Sequence, residues 1–462
     1  MLPIRPDHRA YSCPTTETEV VSLTEHASAV PSLIDPSLSE MLIKVKSELD
    51  TVEPYQKARA RGAVNPLETL SNHIFINRAA LKASELDFLF GLLENAARLA
   101  ASEADDDGGI LRIADLCGGP GGFVEYCQWR TRRQAPGGGS LVRERGNRPF
   151  LSQISGLRIT AITLRGKDDY RPEDFKASLA VAHRLDMPFT KEDKFSCVYG
   201  PADNGNILDS ATNAAFVKDA TSGGRGVHLC MADGGFDFDG VESDQERVAL
   251  PLLATQLSTA IKVTTQGGTC FCKLFTSYTT ATAEALYLAA TCFEEITAVK
   301  PLTSRPSNSE QYVVLQRRRG GDCATAISLL NDLAALEGAP LKLMLEPGFV
   351  TWLRKSNNTL VSAQLKSLRP MVDAALGRDN KGKGKGKGKG KGQGKGKDQG
   401  KGQGKGQGKG QGQGQGRKRS YDDDEDSTTR AACDVFLKGI ELPLLPKPKR
   451  LRGGRGGNVV SA

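Results

Sequence analysis

The residues best placed to do chemistry form one short run, Asp115-Leu-Cys-Gly-Gly-Pro-Gly-Gly-Phe123, which closes the apolar stretch ILRIADLC and leads into FVEYCQWR, a segment with helical spacing. Glycines between a strand and a helix let the backbone approach a ligand closely, and the helix N-terminus offers it unpaired N–H groups. The run lacks the Gly-Lys-Ser/Thr of a phosphate-binding loop and does not match G-x-G-x-x-G, which disfavours a nucleoside triphosphatase or a nicotinamide enzyme. Asp115, two positions before Cys117, suits a ligand that carries an amine and a ribose. A plain tight turn is the other reading of these residues.

The elements around the run must position it. LRITAITL (Leu157–Leu164) reads as the next strand, giving a strand, glycine turn, helix, strand beginning. Further strands are predicted at Phe195–Tyr199, Val227–Ala232, Gly268–Phe275 and Gln311–Gln316, and helices at Gln245–Val263, Ala281–Phe293 and Thr325–Glu337. This alternation predicts an α/β fold with a doubly wound, mostly parallel sheet, whose ligands bind at the carboxyl ends of the strands. Asp233 after VHLCMA and Lys273 in GGTCFCKLF fall at such ends. One or two helices are expected over Asn72–Leu93, a short amphipathic one from Pro36 and a last one over Val350–Ala375. Phe123, Tyr126 and Trp129 share one helix face and read as core.

Charge divides the chain. Between Lys381 and Gly416 it is almost entirely Lys-Gly and Gln-Gly, with 11 lysines against Asp398, and residues 417–462 add 10 Lys/Arg against 7 Asp/Glu. The tail therefore carries +13 of a net +8, and residues 1–380 carry −5. Such a segment builds no core, and its charge suits a polyanion such as RNA, or a solvated spacer. Arg417–Ser420 (RKRS) and Lys447–Gly457 (KPKRLRGGRGG) fit nuclear import or nucleic-acid contact. The domains expected are a polar lead-in (1–55), a folded body with flanking helices (56–378) and a disordered basic tail (379–462). No apolar run is long enough to span a membrane, the N-terminus lacks a signal-peptide layout, and the ten cysteines contain no Cys-x-x-Cys pair, which disfavours a disulfide framework or a zinc site.

Asp115–Arg130 resembles the S-adenosylmethionine loop of the FtsJ-like RNA ribose 2'-O-methyltransferases, and more closely that of the mRNA cap 1 2'-O-methyltransferases. Four other stretches match the family in order: Asn77–Lys82 (NRAALK), Met231–Phe236 (MADGGF), Phe271–Phe275 (FCKLF) and Lys300–Tyr312 (KPLTSRPSNSEQY). The resemblance implies a Rossmann-like, S-adenosyl-L-methionine-dependent methyltransferase with Lys82, Asp233, Lys273 and Glu310 as its catalytic set. It implies cofactor contacts at Asn77, at Cys117, Gly118, Gly119, Pro120, Gly121, Gly122 and Phe123, and at Asn206 and Ile207, with Asn206 standing where the family usually has an acidic residue. Arg61, Ser243, Asp244, Gln245 and Asn308 are the implied RNA contacts. Residues between Arg130 and Phe150 look like a local insertion. No metal is implied.

The implied function is methylation of the ribose 2'-hydroxyl of the first transcribed nucleotide of capped mRNA, with the 7-methylguanosine cap and first nucleotides as partner, a nuclear location and, by resemblance only, contact with RNA polymerase II. The alternatives are the second cap-proximal nucleotide, ribosomal or transfer RNA, and an inactive cofactor-binding RNA-binding module. A hydroxyl is a poor nucleophile until a base shares its proton, so Lys273 is expected to act as base with a lowered pKa, helped by Lys82 and oriented by Asp233 and Glu310. A side chain added at Gly119 is expected to fill ligand space and leave the fold intact.

Overall fold

The computed structural model describes residues 10–15, 32–71, 73–103, 109–132, 154–175, 194–221, 224–236, 244–378, 421–440 and 442. Ser243, residues 133–150 of the expected insertion, the Lys/Gly/Gln run and both basic clusters of the tail lie outside the described residues.

The chain forms an α/β structure around a seven-stranded sheet. Its strands are β1 (Ile110–Leu116), β2 (Gly156–Ile162), β3 (Lys194–Cys197), β4 (Val227–Ala232), β5 (Thr264–Leu274), β6 (Phe293–Val299) and β7 (Gln311–Arg318), in the order β3-β2-β1-β4-β5-β7-β6. From β3 to β5 every pairing is parallel, and β7 runs antiparallel between β5 and β6. Every residue of β1 and β4 is buried, as expected of central strands covered on both faces. One face carries α3 (Ala79–Phe90), α4 (Leu92–Ser102) and α5 (Gly122–Arg132), with Phe123, Tyr126 and Trp129 in the core there. The other face packs α7 (Gln245–Val263), α8 (Thr280–Cys292) and α9 (Ala324–Ala335). The doubly wound sheet expected from the sequence is the one observed.

Five segments depart from the sequence reading. Phe293–Val299 is a strand although Glu294 and Glu295 interrupt its apolar pattern, because both acids pair with Arg317 of β7 at 2.6 Å. Charge on an edge strand is compatible with pairing on its other side. The described residues of the lead-in pack on the body: Tyr11 exchanges two backbone hydrogen bonds of 2.9 Å with Ile296, and α1 (Pro36–Asp50) buries Leu42, Val45 and Leu49 against Val361, Leu365 and Leu368 of α10 (Pro347–Ala375). Two helices lacking clear amphipathic spacing, α2 (Pro54–Val64) and α6 (Ser210–Ala220), join them. Within the stretch assigned to an unstructured tail, Tyr421–Gly439 forms α11, whose Cys433, Phe436 and Leu437 are buried with Leu67 and Leu70. The acidic start of that stretch masks an apolar i, i+3, i+4 stripe farther along. Among the described residues no helix is long and apolar enough to cross a membrane.

Candidate active site

The carboxyl ends of β1, β4 and β5 share one edge of the sheet, since Leu116 pairs with Ala232 and Ala232 with Cys272. The glycine turn leaves β1 there, Asp233 leaves β4, and Lys273 is the next-to-last residue of β5. Because β7 is antiparallel, its start lies at the same edge: Gln311 pairs with Leu274 and Tyr312 with Lys273. Glu310, just before β7, therefore reaches the site from the end of the connection that leaves β6. Lys82 arrives from α3.

These four residues form two interlocked ion pairs. Lys82 Nζ donates to Glu310 Oε2 at 2.7 Å, and Lys273 Nζ lies 3.3 Å from Asp233 Oδ1. Asp233 Oδ1 also accepts from Tyr312 Oη at 2.8 Å, and Glu310 Oε1 accepts from Ser304 Oγ at 2.8 Å. The structure brings together all four side chains of the implied catalytic set. Tyr312 and Ser304 received no role from the sequence, although both lie inside the matched stretch Lys300–Tyr312.

Charge sets the protonation of the cluster. Burial opposes ionisation of Glu310, but Lys82, Lys273 and Lys300 outweigh it and hold the carboxyl down to about 2. Burial likewise pulls the Lys273 amine down, yet Asp233 and Glu310 outweigh burial and raise it above its ordinary value. The expectation of a lowered Lys273 pKa is thus corrected: two carboxylates face it, and the chain by itself holds it as an ammonium. Lys300 goes the other way, lowered to about 7 by burial and by the nearby Lys46 and Lys82.

The glycine turn is a tightly cut cradle. A Cβ at Gly118 would stand 2.2 Å from Asp115 Oδ2, and one at Gly122 would stand 2.0 Å from Asn77 Oδ1, which itself accepts from Ala79 N at 2.9 Å. Cys117, Gly119 and Pro120 keep some exposure, whereas Gly118, Gly121, Gly122 and the Phe123 ring are buried. Phe123 packs on Phe271 and Tyr312, so its side chain is core. Asp115 lies beneath the turn, fully buried, with Oδ2 accepting from Tyr170 Oη at 2.8 Å and Oδ1 without a hydrogen-bond partner among the described residues. Burial, opposed by the Tyr170 bond, pushes its carboxyl up to about 7. Asp115 thus supports the turn from below, with one carboxylate oxygen left for a further hydrogen bond.

Gly205 packs so closely that a Cβ there would meet Thr163 O at 1.7 Å, and Thr163 Oγ1 lies 2.9 Å from the Cβ position of Gly119. This brings Asn206 and Ile207 beside the turn. The Asn206 side-chain Oδ1 accepts from Leu208 N at 3.1 Å, a local turn that an aspartate at this position would also make. The bare backbone of the turn, the start of α5 and the orphaned Asp115 oxygen fit a ligand threaded between Asn77 and Asn206.

The same geometry corrects the expectation for Gly119. A Cβ at this position would lie 2.0 Å from the backbone oxygen of Asp168, so it meets protein before ligand. Gly119→Val is expected to lose about 1–3 kcal/mol of stability as well as S-adenosylmethionine binding, by denaturant titration and calorimetry. Unchanged stability together with unchanged affinity would remove the turn from the site.

The implied RNA contacts divide. Arg61, at the end of α2, stands near Arg78 with Nε buried and unpartnered among the described residues. Arg78 bonds Glu68 Oε1 at 3.3 Å and Thr303 O at 2.7 Å, and Arg305 lies 3.6 Å from Glu68 Oε2, so two guanidiniums share one carboxylate. Asp244 is occupied by Arg247 at the start of α7, beside Gln245. Asn308 is exposed, and its side-chain oxygen accepts from Lys300 at 3.1 Å.

Residues 75–318, more than half of the chain, match the family model described as FtsJ-like methyltransferase. Three curated relatives share the name cap-specific mRNA (nucleoside-2'-O-)-methyltransferase 1. The one from Danio rerio is 33% identical over 353 residues, covering 72% of this chain and 38% of the relative. That from Drosophila melanogaster is 30% identical over 361 residues, covering 73% and 41%. That from Dictyostelium discoideum is 32% identical over 331 residues, covering 70% and 41%. The chain thus spans about two fifths of the length of these relatives.

Proposed function

Because the chain belongs to the FtsJ-like methyltransferase family, we propose that it methylates the ribose 2'-hydroxyl of the first transcribed nucleotide of capped mRNA, using S-adenosylmethionine. The observation that carries this reading is the convergence of the Lys82–Glu310 and Lys273–Asp233 pairs on one sheet edge beside the glycine turn. The names of the relatives support capped mRNA as the substrate class.

When bound, S-adenosylmethionine supplies a methyl group on a sulfonium whose leaving group is a neutral thioether, so no acid is required for departure. Asn77, the turn Cys117–Gly122 and Asn206-Ile207 would hold it, with Asp115 and Tyr170 bracing the turn from below. Lys273, fixed by Asp233, reaches the hydroxyl and first orients its oxygen by donating a hydrogen bond. The positive charge of a bound cofactor would disfavour the Lys273 ammonium; with that proton released to solvent, the free amine would take the hydroxyl proton. Lys82 and Glu310 keep the surrounding field balanced, and Tyr312 fixes the carboxylate that aims the base.

Incubation with labelled S-adenosylmethionine and matched capped and uncapped RNAs, followed by mapping of the methylated nucleotide, tests the reading. Label on the first nucleotide of capped RNA alone supports it. Label on the second nucleotide or on uncapped structured RNA redirects it, and no label on any RNA favours a binding module.

The reading carries with it a nuclear location, supported by the basic clusters at Arg417–Arg419 and Lys447–Arg452, and, by family resemblance alone, contact with the transcription machinery, RNA polymerase II included. The Lys/Gly/Gln run acts as a polyanion collector. Deleting 381–416, which removes +10 and spares α11, is expected to weaken RNA binding and flatten its dependence on salt, with turnover at saturating RNA unchanged. An identical salt slope would make the run a spacer.

A further inference from the structure

The connection Lys300–Glu310 delivers one of the four site residues, and it contains no helix or strand of its own among the described residues. Its shape is held by side chains. Glu85 of α3 accepts from Leu302 N at 2.9 Å and Thr303 N at 3.2 Å. Gln364 of α10 donates to Pro306 O at 2.7 Å and Asn308 O at 2.9 Å, and Lys46 of α1 donates to Ser309 Oγ at 2.8 Å. Both α1 and α10 lie outside residues 75–318, so the loop is clamped by elements beyond the matched family region.

Lys300 spans this loop from within. Its Nζ stands 2.6 Å from Glu310 O, 3.0 Å from Asn308 O, 3.1 Å from Asn308 Oδ1 and 3.4 Å from Ser304 Oγ. One amine therefore ties the first residue of the loop to its last and also touches Ser304, the residue that donates to Glu310 Oε1. With the main chain of Glu310 held by Lys300 and one carboxylate oxygen held by Ser304, the other oxygen is left aimed at Lys82. The two lysines do different work: Lys82 meets the carboxylate, whereas Lys300 meets only the carbonyl of the same residue.

We propose that Lys300 is a positioning residue for methyl transfer, acting through Glu310 by closing the loop that aims its carboxylate at Lys82. This rests on the methyltransferase reading above. The groups facing the Lys300 amine are Glu310 on its own connection, Lys46 from α1 and Lys82 from α3, and their balance with burial keeps the amine from being strongly cationic, in keeping with a role set by hydrogen bonds.

Lys300→Met in the full chain is expected to lower single-turnover methylation about 10²-fold, the scale of a misplaced catalytic group, with RNA and cofactor affinity within about twofold of wild type. In a Glu310→Gln background the same change is expected to cost less than about twofold more, because residues acting as one unit are not additive. Hydrogen exchange of the 302–310 amides is expected to rise at least about tenfold, a change that requires no activity to observe. Lys300→Gln, which keeps two N–H donors, is expected to lie between wild type and Lys300→Met, and it serves if the latter does not fold. Unchanged exchange in the loop, or an equal loss of turnover with and without the Glu310 carboxylate, would overturn the proposal. A wild-type chain that methylates no RNA would instead defeat the functional reading, and the exchange data would still decide the role of Lys300 in the loop.

Discussion

Lys273→Ala is expected to lower single-turnover methylation of capped RNA at least ~10²-fold, the usual cost of losing a general base, while both substrates remain bound. The separation follows from the geometry. The cofactor is assigned to the turn Cys117–Gly122 and to Asn77 and Asn206, and RNA to Arg61 and its neighbours, whereas Lys273 contributes one amine held at 3.3 Å from Asp233. Adding Asp233→Ala to Lys273→Ala should cost little more, since the carboxylate acts by holding that amine. The raised pKa of Lys273 in the chain alone sharpens the expectation. Its amine should titrate lower with S-adenosylmethionine bound than with the neutral S-adenosylhomocysteine, and lysine-selective NMR can follow this. Near wild-type turnover in Lys273→Ala would move the base to Lys82 or solvent, and lost cofactor binding would make Lys273 structural.

Glu310→Ala is expected to be the most destabilising single change in the site, by about 3–5 kcal/mol, because Lys82, Lys273 and Lys300 are then left close together with Asp233 as the remaining carboxylate. Glu310→Gln keeps the shape and isolates the charge. The folded-state pKa of Glu310 is depressed from the ordinary 4.5 to about 2, so its contribution is fully present above 4.5 and is lost as pH falls through 2. The stability gap between wild type and Glu310→Gln, measured by urea titration, should therefore be constant near neutrality and shrink across that acid window. A gap that stays the same through the window would mean that the carboxylate is not held ionised by the three lysines.

Several features of the fold could be read directly from the chain. The largely apolar runs of β1 and β4, the glycine turn between strand and helix, and the one-face stripe of Phe123, Tyr126 and Trp129 are local patterns, and each appears where the sequence puts it. Strand β6 escaped because Glu294 and Glu295 make it look polar, and the reason those acids are tolerated, Arg317 on the neighbouring strand, is a partner brought close by the hairpin. Helix α11 escaped because its opening run of acids resembles the tail around it, and its apolar stripe acquires meaning only against Leu67 and Leu70.

For the site, residue types and their order along the chain were enough to name Lys82, Asp233, Lys273 and Glu310 through matched stretches. Pairing was not. Lys82 and Glu310 are 228 positions apart, and they meet because β7 enters the sheet antiparallel, so that its first residue lies where β5 ends. The protonation of Lys273, the position of Asp115 beneath the turn, the contact that bars a side chain at Gly119, and the grip of Lys300 on Asn308 and Glu310 are likewise properties of distances between remote residues. By itself the sequence determined which groups were available and where the central strands, the glycine turn and the strongly periodic helices would fall, because those depend on periodicity and backbone freedom within a few residues. Tertiary structure alone decided which charges face one another, because Coulomb and desolvation energies depend on separation and burial in space, and only the order of strands in the sheet sets those.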